Sequence, residues 1–123
     1  MNTNFHWNDP FLFQQQLSQA ERAIQDKARQ FAQETLAPRI VQAFHHEEFS
    51  PEIMKEMGKR GFLGATLSGM NYVSYGLIAH ELEKIDSAYR SALSIQSGLV
   101  MHAIHSFGSE IQKKNYLFYI QKL

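Results

Sequence analysis

The sequence predicts an all-α protein, a bundle of about five to six helices. Apolar residues recur three and four positions apart along most of the chain, the spacing that lines one side of a helix. Capping residues stand in front of several of these stretches. Hairpin signals are missing: the sequence contains no Asn-Gly or Asp-Gly and no sustained apolar/polar alternation.

Residues 10–17 (PFLFQQQL) read as a short helix or turn. Ser18 stands three residues before Glu21, a capping box. It opens a helix over 18–35, with Ile24, Ala28, Phe31 and Ala32 on one side. Pro38 lacks an amide hydrogen and is tolerated only in a first helical turn. A new helix is therefore expected to begin there. Ile40, Val41 and Phe44 form its apolar side, and His45, His46, Glu47 and Glu48 a solvated corner.

Ser50-Pro51-Glu52 predicts the next start: a hydroxyl at the cap, proline first, an acid in the first turn. Ile53, Met54 and Met57 supply the apolar side and Gly61 the stop. GFLGATLSG reads as a loop. Asn71 caps a helix carrying Val73, Leu77, Ile78, Leu82 and Ile85, with Glu81, Glu83 and Lys84 expected on its solvated side. Asp86-Ser87 offers a break and a fresh cap. Ser109, with Gln112 three residues on, starts a last helix. That helix runs into the apolar series Tyr116, Leu117, Phe118, Tyr119 and Ile120.

Residues 91–109 contain no Lys, Arg, Asp or Glu. The length could cross a bilayer. Ser91, Ser94, Gln96, Ser97, His102, His105, Ser106 and Ser109 would be costly in lipid. A helix without a charged side is surrounded by protein, so a buried central helix is expected near 87–107.

Composition narrows the function. Twelve basic and 12 acidic residues balance to a net charge of zero, without the basic surplus of a nucleic-acid binder. Hydrophobic residues make up 44% of the chain, too many for a disordered one. There is no cysteine, which excludes disulfides, thiolate nucleophiles and Cys-ligated zinc. The first residues do not form a secretory signal, and a cytoplasmic location is expected. No phosphate-binding glycine loop, nucleophile elbow or H-E-x-x-H motif occurs.

Arg90 is the most informative side chain. It opens the uncharged stretch, and a desolvated guanidinium needs an anion. Its planar fork suits a carboxylate or phosphate. Ser91 is adjacent and Ser94 one turn on. The competing reading is a structural ion pair with Asp86, four residues earlier. His102 and His105, three apart, could share a metal. No acid stands at a matching offset, so locally bonded, buried or half-buried histidines are expected instead. Met54, Met57, Met70 and Met101 read as core filler.

Residues 75–101, YGLIAHELEKIDSAYRSALSIQSGLVM, resemble the acyl-CoA dehydrogenases, and within them the glutaryl-CoA dehydrogenase branch. FHWNDP, ETLAPRI, EIMKEMGKRGFLGATL and FGSEIQKKNYL are similar to successive pieces of the same family, and IDSAYRSALSIQS carries the glutaryl branch. The resemblance implies an FAD enzyme with an N-terminal helical domain, a middle β-domain and a C-terminal helical bundle. Such enzymes remove the α-proton of an acyl-CoA thioester and pass a hydride to flavin. The glutaryl branch then decarboxylates its product to crotonyl-CoA, and electrons leave through electron-transfer flavoprotein.

In that branch an Arg-Ser pair binds the far carboxylate of glutaryl-CoA. Arg90 and Ser91 match the pair, and Ser94 joins the same pocket. On this resemblance residues 1–17 are an N-terminal extension and 18–123 the N-terminal helical domain. Nothing corresponds to the family's catalytic glutamate or to its flavin-gripping middle domain. The chain alone is therefore expected to bind FAD weakly or not at all, and to lack catalytic competence. Its apolar surface is expected to favour self-association or the missing domains. The loop SGMNYVS is shorter than in relatives. The alternatives are a non-catalytic helical module that binds a partner chain through its apolar surface, and an unrelated bundle that binds a small anion at Arg90.

Overall fold

The computed structural model describes Phe5 and residues 7–117. Every regular element among these residues is helical. A short α1 (Phe13–Gln16) follows Leu12, which sits in the left-handed region at φ 52°. The Asp9 carboxylate accepts from the amides of Phe13 and Gln14 at 2.7 and 2.9 Å, which satisfies the free N-terminal donors.

α2 (Gln19–Phe31) opens on the expected capping box. Glu21 N donates to Ser18 Oγ, and Ser18 N donates back to Glu21 Oε2 at 2.7 Å. The expected break at Pro38 is not found. A π-helical stretch (Ala32–Leu36) leads directly into α3 (Ala37–His46). The Ala37 amide reaches back five residues to the Ala32 carbonyl. Proline contributes no amide hydrogen, and its ring crowds the carbonyl four residues back. The wider turn accommodates both, so the helix continues. The apolar side of α3 also differs from expectation: Val41 and Phe44 are exposed, and Ile40 alone of the three packs on the core.

α4 (Glu52–Lys59) begins one residue later than the cap pattern suggests. Pro51 takes the cap position, and no side chain caps the helix. Ser50 contributes its carbonyl to Ile53 N at 3.1 Å rather than its hydroxyl. α5 (Tyr72–Glu83) is capped by Asn71, whose side chain accepts from Ser74 N at 2.8 Å. α6 (Ser87–Ser94), a π-helical stretch (Ile95–His102) and α7 (Ala103–Phe107) form one unbroken run. Ser109 and Gln112 make a capping box for α8 (Glu110–Gln112), which continues as a π-helical stretch (Lys113–Leu117). Phe118, Tyr119 and Ile120 lie outside the described residues.

α2 packs along α5, and α5 along α6. The core takes Ala28, Phe31 and Leu36 from the first run, Ile53 and Met57 from α4, and Ile78 and Leu82 from α5. Tyr89, Leu93 and Met101 come from the long run through α6. The 61–69 segment is a loop, as expected, yet it buries Phe62, Leu63 and Ala65. Full burial of a side chain such as Phe62 stabilises by roughly 1.5–3 kcal/mol. Met57 and Met101 are buried, and Met54 and Met70 pack partly buried against the core, consistent with core filler.

Two expectations need correction. Glu81 is not on a solvated side: it is 1% exposed, between α2 and α5. Gln25 Nε2 and Arg29 Nη2 donate to it from α2 at 3.1 and 3.2 Å, and Lys84 donates at 3.1 Å. A buried carboxylate is tolerable only with such partners. The run through α6 is not buried all round. Tyr89, Leu93, Ser97 and Met101 form one inward stripe, while Leu99 is 72% and Phe107 89% exposed.

Candidate functional site

The site is built on the break between α5 and α6. Asp86 is extended (φ −165°), and its carboxylate accepts from Ala88 N at 2.7 Å. That cap fixes the helical phase. Tyr89 and Leu93, four apart, then point into the core. The next position round, shared by Arg90 and Ser94, falls at the rim.

Arg90 has a 37% exposed side chain, and its Nε donates to Glu83 Oε2 at 2.7 Å. The competing reading, an ion pair with Asp86, is not found: the Asp86 carboxylate caps α6, and Arg90 pairs with Glu83 instead. The other Glu83 oxygen accepts from Ser87 Oγ at 2.5 Å. The Ser87 and Arg90 hydrogen bonds hold the Glu83 carboxyl below its ordinary pKa, so it is a carboxylate at neutral pH. Ser94 Oγ donates to the Arg90 carbonyl at 2.9 Å, the back-bonding habit of a mid-helix serine. Ser91 is half-buried beside them.

Among the described residues only Nε of the Arg90 guanidinium is engaged, of five N–H donors. The remaining guanidinium N–H groups and the Ser91 hydroxyl are the donors this rim offers an anion, since the Ser94 hydrogen is already given to the Arg90 carbonyl.

Sequence reasoning brought Arg90, Ser91 and Ser94 to one rim and missed Glu83. Glu83 is seven residues from Arg90, across a helix break, where the rule of helical neighbours three or four apart does not reach. The histidines differ from expectation: His102 and His105 are both exposed, with ring centroids 6.5 Å apart. Among the described residues no group of three or more His, Asp or Glu could hold a metal. No described helix is long and apolar enough to cross a membrane.

A family model described as acyl-CoA dehydrogenase, N-terminal domain, matches residues 18–122. The chain belongs to the acyl-CoA dehydrogenase family. It is 30% identical over 107 residues to an acyl-CoA dehydrogenase of Bacillus subtilis, covering 82% of this chain and 28% of that protein. It is 29% identical over 109 residues to the mitochondrial isovaleryl-CoA dehydrogenase of Pongo abelii, covering 82% of this chain and 26% of that protein.

A crystal structure of a glutaryl-CoA dehydrogenase from Mycobacterium smegmatis in complex with FADH2 superposes with a TM-score of 0.89 at 38% identity. That match covers 91% of this chain and 30% of the other. A second structure of glutaryl-CoA dehydrogenase from the same organism gives 0.87 at 38%, covering 93% and 31%. The chain thus spans under a third of each of these relatives. The helical architecture and the family resemblance read from the sequence are both borne out.

Proposed function

We propose that this chain is the N-terminal domain of an FAD-dependent acyl-CoA dehydrogenase of the glutaryl-CoA type. In this reading it supplies the pocket for the far end of the acyl chain. Arg90, Ser91 and Ser94 hold the distal carboxylate of glutaryl-CoA. The observation that carries the reading is the Arg90–Glu83 contact: a rim guanidinium, held by one nitrogen, already bonds a carboxylate at 2.7 Å. A substrate carboxylate takes the remaining donors or displaces Glu83. The 38% identity to glutaryl-CoA dehydrogenase structures supports the same substrate class.

Flavin chemistry belongs to the whole family protein. Proton abstraction, flavin binding and electron exit to electron-transfer flavoprotein fall in this reading to parts beyond the domain.

The test is binding selectivity. Glutaryl-CoA should bind the chain more tightly than butyryl-CoA. Arg90→Gln should weaken glutaryl-CoA about tenfold or more, and butyryl-CoA by less than about twofold, because only the former has a charge to pair. Equal loss for both ligands removes the carboxylate assignment.

A second reading is favoured by the open flank of the α6 run. Leu99, Phe107 and Ile111 are exposed apolar residues, more than a self-sufficient helical surface needs. Here the chain is a non-catalytic module that seats a partner chain or a second copy of itself. Retained glutaryl-CoA selectivity argues against it.

A further inference from the structure

We propose that the cleft between α3 and the start of α4 is a separate binding site for a small monocarboxylate with an apolar body. The cleft holds about 630 Å³ and is lined by Arg39, Gln42, Glu48, Phe49, Ser50 and Tyr89, among others. That volume suits a small organic ligand. It lies on the Tyr89 side of α6, whereas Arg90 faces the rim toward Glu83.

Tyr89 is the deciding residue. It is only 2% exposed, and its ring packs 6.0 Å from that of Phe49. Its hydroxyl has no hydrogen-bond partner among the described residues, yet it is not sealed in protein. A phenol buried this deeply normally finds a partner. Tyr89 lines this cleft and a smaller one beside it, bounded by Ile40, Phe44 and Asp86, so its hydroxyl is left to donate to a ligand there. Burial is the main cause that raises the Tyr89 pKa, Asp86 adds to it and Arg39 opposes it, so the group stays a neutral donor at physiological pH.

Arg39 lines the same cleft with no ion pair or hydrogen bond among the described residues. Guanidinium and phenol both donate, so the ligand must accept, and a carboxylate accepts from both. Pro38, Pro51 and Ile53 give the rest of the wall its apolar character. Glu48 on the lining disfavours a second negative charge, so the site takes a monocarboxylate where Arg90 is assigned the far end of a dicarboxylic acyl group.

Hexanoate, 1-hexanol and hexylammonium share one chain and differ in the head group. In an NMR titration of the isotope-labelled chain, hexanoate should shift the amides of Gln42, Phe49, Ser50 and Tyr89. It should bind about tenfold more tightly than the other two. Arg39→Gln, at an exposed position, and Tyr89→Phe, which removes only the hydroxyl, should each weaken hexanoate about fivefold or more with helical content unchanged. Three results overturn the proposal. Hexanol binding as well as hexanoate means a plain greasy groove. Weakening by Arg90→Gln but not by Arg39→Gln moves the carboxylate to the rim. No saturable shift in the millimolar range means no site.

Discussion

Arg90 Nε lies 2.7 Å from Glu83 Oε2, across the break that separates α5 from α6. The guanidinium is therefore not idle: an internal carboxylate occupies part of its fork. Any acidic ligand at this rim competes with Glu83. Glu83→Gln removes the competing charge, and glutaryl-CoA should then bind the chain several-fold more tightly while butyryl-CoA is unaffected. Titration calorimetry of the two acyl-CoAs measures this. A fall in glutaryl-CoA affinity would instead show that Glu83 orients the guanidinium for its ligand.

Glu81 ties α2 to α5 through Gln25, Arg29 and Lys84. Glu81→Ala leaves the Gln25 amide without its partner in the interior. Arg29 and Lys84 are half-exposed and can turn to water, which keeps the cost below that of a sealed ion pair. The expected loss is about 1–3 kcal/mol in urea unfolding. A change within experimental error would mean that α2 and α5 hold together by apolar contact alone.

The same carboxyl sets an acid limit. Burial pushes its pKa up, but the hydrogen bonds and charges of Arg29 and Lys84 outweigh burial and hold it below the ordinary value of 4.5. The unfolded chain binds this proton more readily than the folded one, so stability rises with pH across that interval. The Glu81 contribution is fully present above about pH 4.5 and is lost as pH falls through the lowered pKa. Melting temperatures between pH 6 and 3 (a range of about three units around the carboxylate pKa) should drop less steeply for Glu81→Gln than for the parent. Parallel curves would assign the acid sensitivity to other carboxyls.

Gly64 and Gly61 make a contrasting pair. Both have positive φ, 61° and 73°. A Cβ on Gly64 would run into the end of the buried Met101 side chain, whereas one on Gly61 meets nothing within 4 Å. Gly61→Ala should cost about 1 kcal/mol from backbone strain. Gly64→Ala adds overpacking and should cost about 2–4 kcal/mol. Chemical denaturation of the two variants checks the order. Equal losses would mean that Met101 yields without penalty.

Leu99 and Phe107 are largely exposed, at 72% and 89%. Replacing both with Ser should change unfolding free energy by less than about 1 kcal/mol. If the open flank associates, the same change should lower the mass seen by sedimentation as concentration rises. A large loss of stability with no change in mass would mean that these side chains support the fold itself.

Much of the local structure was legible in the sequence. Ser18–Glu21, Asn71, Asp86 and Ser109–Gln112 all mark helix starts that the chain adopts, because a cap is a contact between residues within one turn. The placement of Arg90, Ser91 and Ser94 on one helix follows from spacing alone. Distant geometry was not legible. Whether Glu81 meets water or Gln25 depends on how α2 lies on α5, and no periodicity states that. Pro38 is a stop signal by its own chemistry, and only a wider turn upstream lets the helix run through it. The uncharged run promised a helix covered on all sides, but among the described residues only one stripe is buried, Tyr89 to Met101. Sequence determined where helices begin and which residues share a rim, since those depend on contacts a few residues apart. Tertiary packing decided which charges are enclosed and which residues line the cleft beside Tyr89, since those depend on segments the chain brings together from far away, while the carboxylate Arg90 holds was set by the turn of the chain between α5 and α6.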